Sequence, residues 1–146
     1  MRRIHLVPIL LIFCFVSTSI ALAEVQVRLR VIRASNVGQG IDPSLKDIHK
    51  ELGSLFNFTS YHLLRDEILH LSSNRPVSIS AREGRTSIET TLVGLQRGVA
   101  ELRIRVVREG KDILNTQVRL SSGRTVLIGG PRLQDGVIIY ALSGNF

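Results

Sequence analysis

From Val99 onward the chain alternates apolar and polar residues with a period of two, and this pattern constrains its fold most tightly. Leu102, Ile104 and Val106 oppose Glu101, Arg103 and Arg105; Leu114, Thr116, Val118 and Leu120 oppose Asn115, Gln117 and Arg119. Alternation of this kind gives a strand one face for a core and one for solvent. Between the two runs stands Glu109-Gly110, a pair suited to a tight hairpin because glycine accepts positive φ. Only one convincing helix precedes these strands, so a parallel βαβ architecture lacks its crossovers. The expectation is an α+β domain, a mainly antiparallel β-sheet or sandwich with one amphipathic helix, about 42–55, packed on it.

The other elements follow the same rules. Val25, Val27, Leu29 and Val31 alternate with Gln26, Arg28 and Arg30 as a first strand, and 35–41 reads as a loop with Gly38 and Gly40. Asp42-Pro43 then supplies an N-cap and a proline at the first helical position. Leu45, Ile48, Leu52 and Leu55 form one stripe, with Lys46, Asp47, Lys50 and Glu51 opposite. A strand from Phe58 runs toward Leu71 and breaks at Asn74-Arg75-Pro76. Strands over 77–81 and 86–95 flank a turn at 82–85, and Arg97-Gly98 marks another. The closing segments, 125–128 and 137–142, are nearly continuous apolar runs, as expected of strands covered on both faces. Gly129-Gly130-Pro131 and Asp135-Gly136 read as the turn that joins them.

The amino terminus carries a different signal. Arg2 and Arg3 precede a mostly apolar stretch, and Ala21-Leu22-Ala23 is a small-x-small cleavage site. Residues 1–23 are therefore expected to be a signal peptide, with 24–146 as a single domain. Cys14 lies inside the apolar stretch, not at its end, which argues against lipoprotein attachment. Loss of Arg2 and Arg3 from the 19 basic residues leaves 17 against 12 acids, a net +5. It also removes the only Cys and the only Met, so the domain must rely on its core, without disulfides or zinc-thiolate sites. A hydrophobic content of 44% is too high for a disordered chain. The length rules out a large enzyme or a multi-pass membrane protein.

The side chains with most chemical interest are arginines. Arg28 and Arg30 share one strand face, Arg103 and Arg105 another, and Arg119 lies on the hairpin partner of the latter. If the strands were neighbours, these five would form one anion-binding face, since guanidinium forks suit carboxylate and phosphate. Glu101, Asn115 and Gln117 dilute that charge. No aromatic residue interleaves the arginines, so nucleic acid is disfavoured for want of a stacking platform.

Mature His49, His62 and His70 match no metal motif. On an unbroken strand His62, Asp66 and His70 would face one way, but at steps of about 13 Å. Asp66 and Glu67 are adjacent and so face opposite sides. No nucleophile elbow, dinucleotide fingerprint or phosphate loop occurs, so no catalytic, cofactor-binding or metal-ligating residue is assigned.

Two blocks, Gly40-Ile41-Asp42-Pro43-Ser44-Leu45-Lys46 and Phe56-Asn57-Phe58-Thr59-Ser60-Tyr61-His62-Leu63-Leu64, resemble a family of small exported bacterial proteins. So does the ending, a strand, a Gly-Gly-Pro turn and a final apolar strand. That resemblance implies export and a compact domain, and it brings no active site with it. The stretch from Gly123 to Gly130 also resembles the closing strand of secretins, the outer-membrane secretion gates. The resulting expectation is a non-enzymatic binding or assembly module in the periplasm or outer envelope of a Gram-negative bacterium. It would dock an envelope or secretion-system protein, or an anionic glycan or lipid head group, through an arginine-bearing sheet face or a strand edge. The alternatives are a periplasmic carrier or sensor of an anionic small molecule or glycan, held between helix and sheet, and an enzyme without a short motif.

Overall fold

The computed structural model describes residues 24–81 and 85–146. The expected signal peptide and its cleavage site after Ala23, together with Arg82, Glu83 and Gly84 of the expected turn, lie outside these residues. Along the chain come β1 (Glu24–Ser35), β2 (Gly40–Ile41), a 3-10 helix (Pro43–Ile48), α1 (His49–Leu55), β3 (Ser60–Ser72) and β4 (Val77–Ser80). They are followed by β5 (Thr86–Gln96), β6 (Val99–Arg108), β7 (Lys111–Ser121), β8 (Thr125–Leu133) and β9 (Gly136–Ser143). The strands form two sheets. One has the order β2-β3-β1-β9-β8 and the other β4-β5-β6-β7. All strand pairs are antiparallel except the two-residue β2–β3 contact. The mainly antiparallel sandwich-like arrangement with a short helix is thus the α+β fold the alternation predicts.

The two sheets bury their facing sides against each other. Val25, Val27, Leu29 and Val31 of β1 meet Ile88 and Leu92 of β5, Leu102, Ile104 and Val106 of β6, and Ile138, Tyr140 and Leu142 of β9 in one core. The hairpin turns are built as expected: Arg97-Gly98 and Glu109-Gly110 both hold positive φ at both residues, 52° and 73°, then 50° and 77°. This is the combination that matches strand twist.

A second, smaller core lies on the other side of the five-stranded sheet. There the helical segment covers Ile32, Ala34, Tyr61, Ile139 and Ala141 with Leu45, Ile48 and Leu52. β9 is consequently apolar on both faces, one turned to each core. The Asp42 carboxylate caps the segment, accepting from the Ser44 backbone N–H at 3.0 Å and its hydroxyl at 2.6 Å. Those two hydrogen bonds, first the hydroxyl and then the N–H, hold the Asp42 carboxyl below its ordinary pKa.

Three local expectations need correction. Leu55, placed on the apolar stripe, is 65% exposed. The first turns are 3-10, with three residues per turn, so Leu45 and Ile48 stay in phase while the later α-turn carries Leu55 off the stripe. Phe56 packs at the small core in its place. Gly129-Gly130-Pro131 is not a turn; it lies within β8, where the register with β9 shifts between Gly129 and Arg132. A Cβ on Gly130 would stand 2.6 Å from the Tyr140 ring, so this glycine serves a close approach. The chain reverses further on, at Gln134-Asp135. Finally, β3 carries a bulge, with Val31 paired to Arg65 and Ile32 to Leu63.

Candidate functional site

The two sheets separate the five expected arginines. Arg28 and Arg30 belong to β1, in the five-stranded sheet, whereas Arg103 and Arg105 on β6 and Arg119 on β7 belong to the four-stranded one. Each group points away from the shared core, so the single arginine face expected from the sequence does not form. The two groups lie instead on the opposite outer faces of the sandwich.

On the five-stranded sheet, alternation predicts a solvent-facing Arg30. The structure buries it to 1% exposure, because the helical segment crosses the strand at that level. Its Nη1 donates to the Asp47 carboxylate at 2.8 Å, and its Nε is buried without a hydrogen-bond partner among the described residues. Next to it, Arg28 grips Asp66 with both prongs, Nε to Oδ1 at 2.8 Å and Nη2 to Oδ2 at 2.6 Å. The hydrogen bond from Arg28 holds the Asp66 carboxyl below its ordinary pKa, and that from Arg30 does the same for Asp47. Two cations and two anions thus clamp the helix edge to β1 and β3. Beside the clamp, an open groove of about 410 Å³ runs over Gln26, Arg28, Asp47, Thr125, Ser143 and Asn145, with Arg124 at its rim.

The helix–sheet interface itself is filled. Leu45, Leu52, Ile32, Ala34 and Ile139 are fully buried there, and the Tyr61 hydroxyl donates to the Phe56 carbonyl at 2.9 Å. A ligand seated between helix and sheet therefore has no room among the described residues, and Tyr61 closes the helix end instead of lining a pocket.

On the four-stranded sheet, Arg103 lies opposite Gln117, Arg105 opposite Asn115, and Glu101 opposite Arg119. The dilution of charge seen in the sequence is real. Arg105 bonds to Asp112 through Nε at 2.9 Å, and this hydrogen bond raises the guanidinium pKa; Glu89 lies 3.9 Å away. Arg119 reaches Glu101 at 3.1 Å but stays 78% exposed. Arg103 is exposed, and its guanidinium has no partner among the described residues. A bulge where Gly94 follows Leu92 in the pairing with β6 opens a hollow of about 390 Å³ next to these groups. Gly94, Gln96, Arg97, Glu101 and Arg119 line it. Arg97 also has no partner for its guanidinium among the described residues. Sequence reasoning saw this residue only as part of a turn, and the signal for its role is the hairpin geometry that carries it back over the sheet.

The histidines do not converge. The β3 bulge places Leu64 in the sandwich core while Tyr61 and Leu63 face the helix. His62 accordingly faces away from the side that Asp66 and His70 share, which corrects the reading of an unbroken strand. Among the described residues no group of three or more His, Cys, Asp or Glu is placed to hold a metal ion. No described helix is long and apolar enough to cross a membrane. No family model matches the chain, and neither the curated proteins nor the solved structures give a match.

Proposed function

We propose that this domain is an exported, non-enzymatic binding module that docks an acidic envelope partner on the outer face of its four-stranded sheet. The observation that carries the reading is the hollow at the β5–β6 hairpin. Two arginines line it, Arg97 with a guanidinium free among the described residues and Arg119 paired to Glu101 at 3.1 Å, and Arg103 stands on β6 with a guanidinium unoccupied by any described carboxylate. Guanidinium groups left free around a concavity favour a carboxylate- or phosphate-bearing ligand, because each fork donates two parallel hydrogen bonds. No described helix covers this face, in contrast to the other sheet. The signal-like amino terminus and the resemblance to small exported proteins are what support an envelope location in this reading.

Such docking is electrostatic at a solvent-exposed surface and weakens as salt shortens the screening length from about 10 Å at 0.1 M to about 3 Å at 1 M. The test is capture from an envelope extract by the purified protein over a salt series. A partner held at low salt and released at high salt supports the reading, and capture indifferent to salt refutes it.

The groove on the opposite sheet favours a second reading, in which an anionic glycan or small molecule lies along Arg28 and Arg124. Its lining of Gln26, Thr125, Ser143 and Asn145 offers hydroxyl and amide partners suited to sugar hydroxyls. Titration with acidic oligosaccharides, followed by NMR shifts at Thr125 and Ser143, tests it, and unmoved resonances would exclude it.

A further inference from the structure

The sandwich has open strand edges, and those other than β7 are blunted. β4 is only four residues long. β8 carries Pro131 and a register shift between Gly129 and Arg132. β3 is bulged, carries the charged run Arg65-Asp66-Glu67, and has part of its free side occupied by β2 and by the Asp42 carboxylate, which accepts from the Leu63 N–H. Short strands, prolines, bulges and charges are the devices by which proteins keep sheet edges from pairing. β7 lacks them at its centre, its bulge at Ile113 and its charges at Lys111, Asp112 and Arg119 lying toward its ends. It runs eleven residues, Lys111–Ser121, pairs among the described residues with β6 on one side only, and its stretch Leu114-Asn115-Thr116-Gln117-Val118 holds no charge, proline or glycine.

We infer that β7 is a self-association edge, along which a second copy of this chain pairs antiparallel about a two-fold axis at Thr116. A two-fold contact must be self-complementary, and this strand is. Centring the pairing on Thr116, the midpoint of β7, sets Asn115 opposite Gln117 of the second copy, where the two amides can exchange hydrogen bonds. On the inner side Leu114 meets Val118. Arg119 comes beside Ile113 and Asp112 of the second copy, and Lys111 comes opposite Ser121, so no like charges face each other. The product is a continuous eight-stranded sheet. This inference uses only the edge of β7 and stands apart from the docking reading of the sheet face.

Strand pairing alone buries less than the roughly 1,200 Å² of a standard interface, so association is weak and depends on concentration. Sedimentation equilibrium of the purified protein from about 1 to 500 μM tests it, that range bracketing an interface of this size. The wild type is expected to move from monomer toward twice its mass. The N115D/Q117D variant sets two carboxylates opposite each other at both symmetry-related positions, and should weaken association at least tenfold. Within one copy the same carboxylates face Arg105 and Arg103, so the fold, followed by circular dichroism, should persist. N115D/Q117K restores opposite charges across the axis and should recover the dimer. A wild type that stays monomeric throughout, or an N115D/Q117D variant that dimerises as the wild type does, overturns the inference.

Discussion

Replacing Asp47 by alanine should destabilise the fold out of proportion to the exposure of its carboxylate. That carboxylate is 55% exposed and by itself gives up little to water on removal. What it leaves behind is a guanidinium at 1% exposure whose Nη1 loses its acceptor at 2.8 Å and whose Nε has none among the described residues. A hydrogen bond involving a charged group contributes about 1.5–3 kcal/mol, and removing one partner of a buried pair costs about 3–5 kcal/mol. The exposed side of Asp47 places this pair toward the lower figures, so the expected loss is about 2 kcal/mol. Arg30→Met removes the buried charge while keeping the length of the chain. It should lie within about 1 kcal/mol of wild type, as apolar replacements of buried ions generally do. The double variant should resemble R30M alone, giving a coupling of about 2 kcal/mol. Urea unfolding followed by circular dichroism measures all three. The reasoning fails if D47A is neutral while R30M is severely destabilising, for then Arg30 acts by packing and not as a charge that needs its partner.

Other substitutions report on other parts of the fold. Gly136→Ala would place a Cβ 1.8 Å from the Ala34 carbonyl oxygen, a backbone clash, and should cost about 3 kcal/mol or prevent folding. Gly53→Ala, in α1 with open space around it, should instead stabilise by about 0.5–1 kcal/mol, and thermal melts of the pair should move in opposite directions. The Thr90 hydroxyl is buried without a partner among the described residues, so Thr90→Val should gain about 1 kcal/mol in denaturant unfolding, and a loss would reveal a hidden partner. Burial pushes the Tyr140 hydroxyl up to about 12. A folded pKa above the unfolded value near 10 means stability held below pH 10 and lost as pH rises toward 12. Phenolate absorbance should therefore appear together with unfolding, and a full titration near pH 10 in the folded protein would contradict that burial.

Much of the fold was legible because period-two alternation and glycine turns are local signals. β6 and β7, with the Glu109-Gly110 hairpin between them, need no knowledge of the rest of the chain. Arg30 was not legible, because its burial depends on a helix that crosses β1 from elsewhere in the sequence; alternation reports which face a residue takes, not what covers that face. The same limit separated Arg28 and Arg30 from Arg103, Arg105 and Arg119. Their strand faces could be read, but sheet membership is set by non-local pairing. The bulges at Leu64 and beside Gly94 change facing by one inserted residue. No residue type marks the first, and the glycine at the second reads equally well as an ordinary strand residue. Arg97 shows how a site can hide in a turn: its positive φ belongs to the hairpin, while its side chain belongs to the hollow.

The central claim is that the arginine-bearing hollow of the four-stranded sheet is the docking surface, and the most direct measurement compares two variants in low-salt capture from an envelope extract. R103S/R119S removes guanidinium groups from the proposed surface, whereas R124S changes only the groove on the opposite sheet. Partner capture should fall at least tenfold for R103S/R119S and stay at the wild-type level for R124S, with both variants folded by circular dichroism. Undiminished capture by R103S/R119S, or a loss confined to R124S, would contradict the account and move the site to the other face.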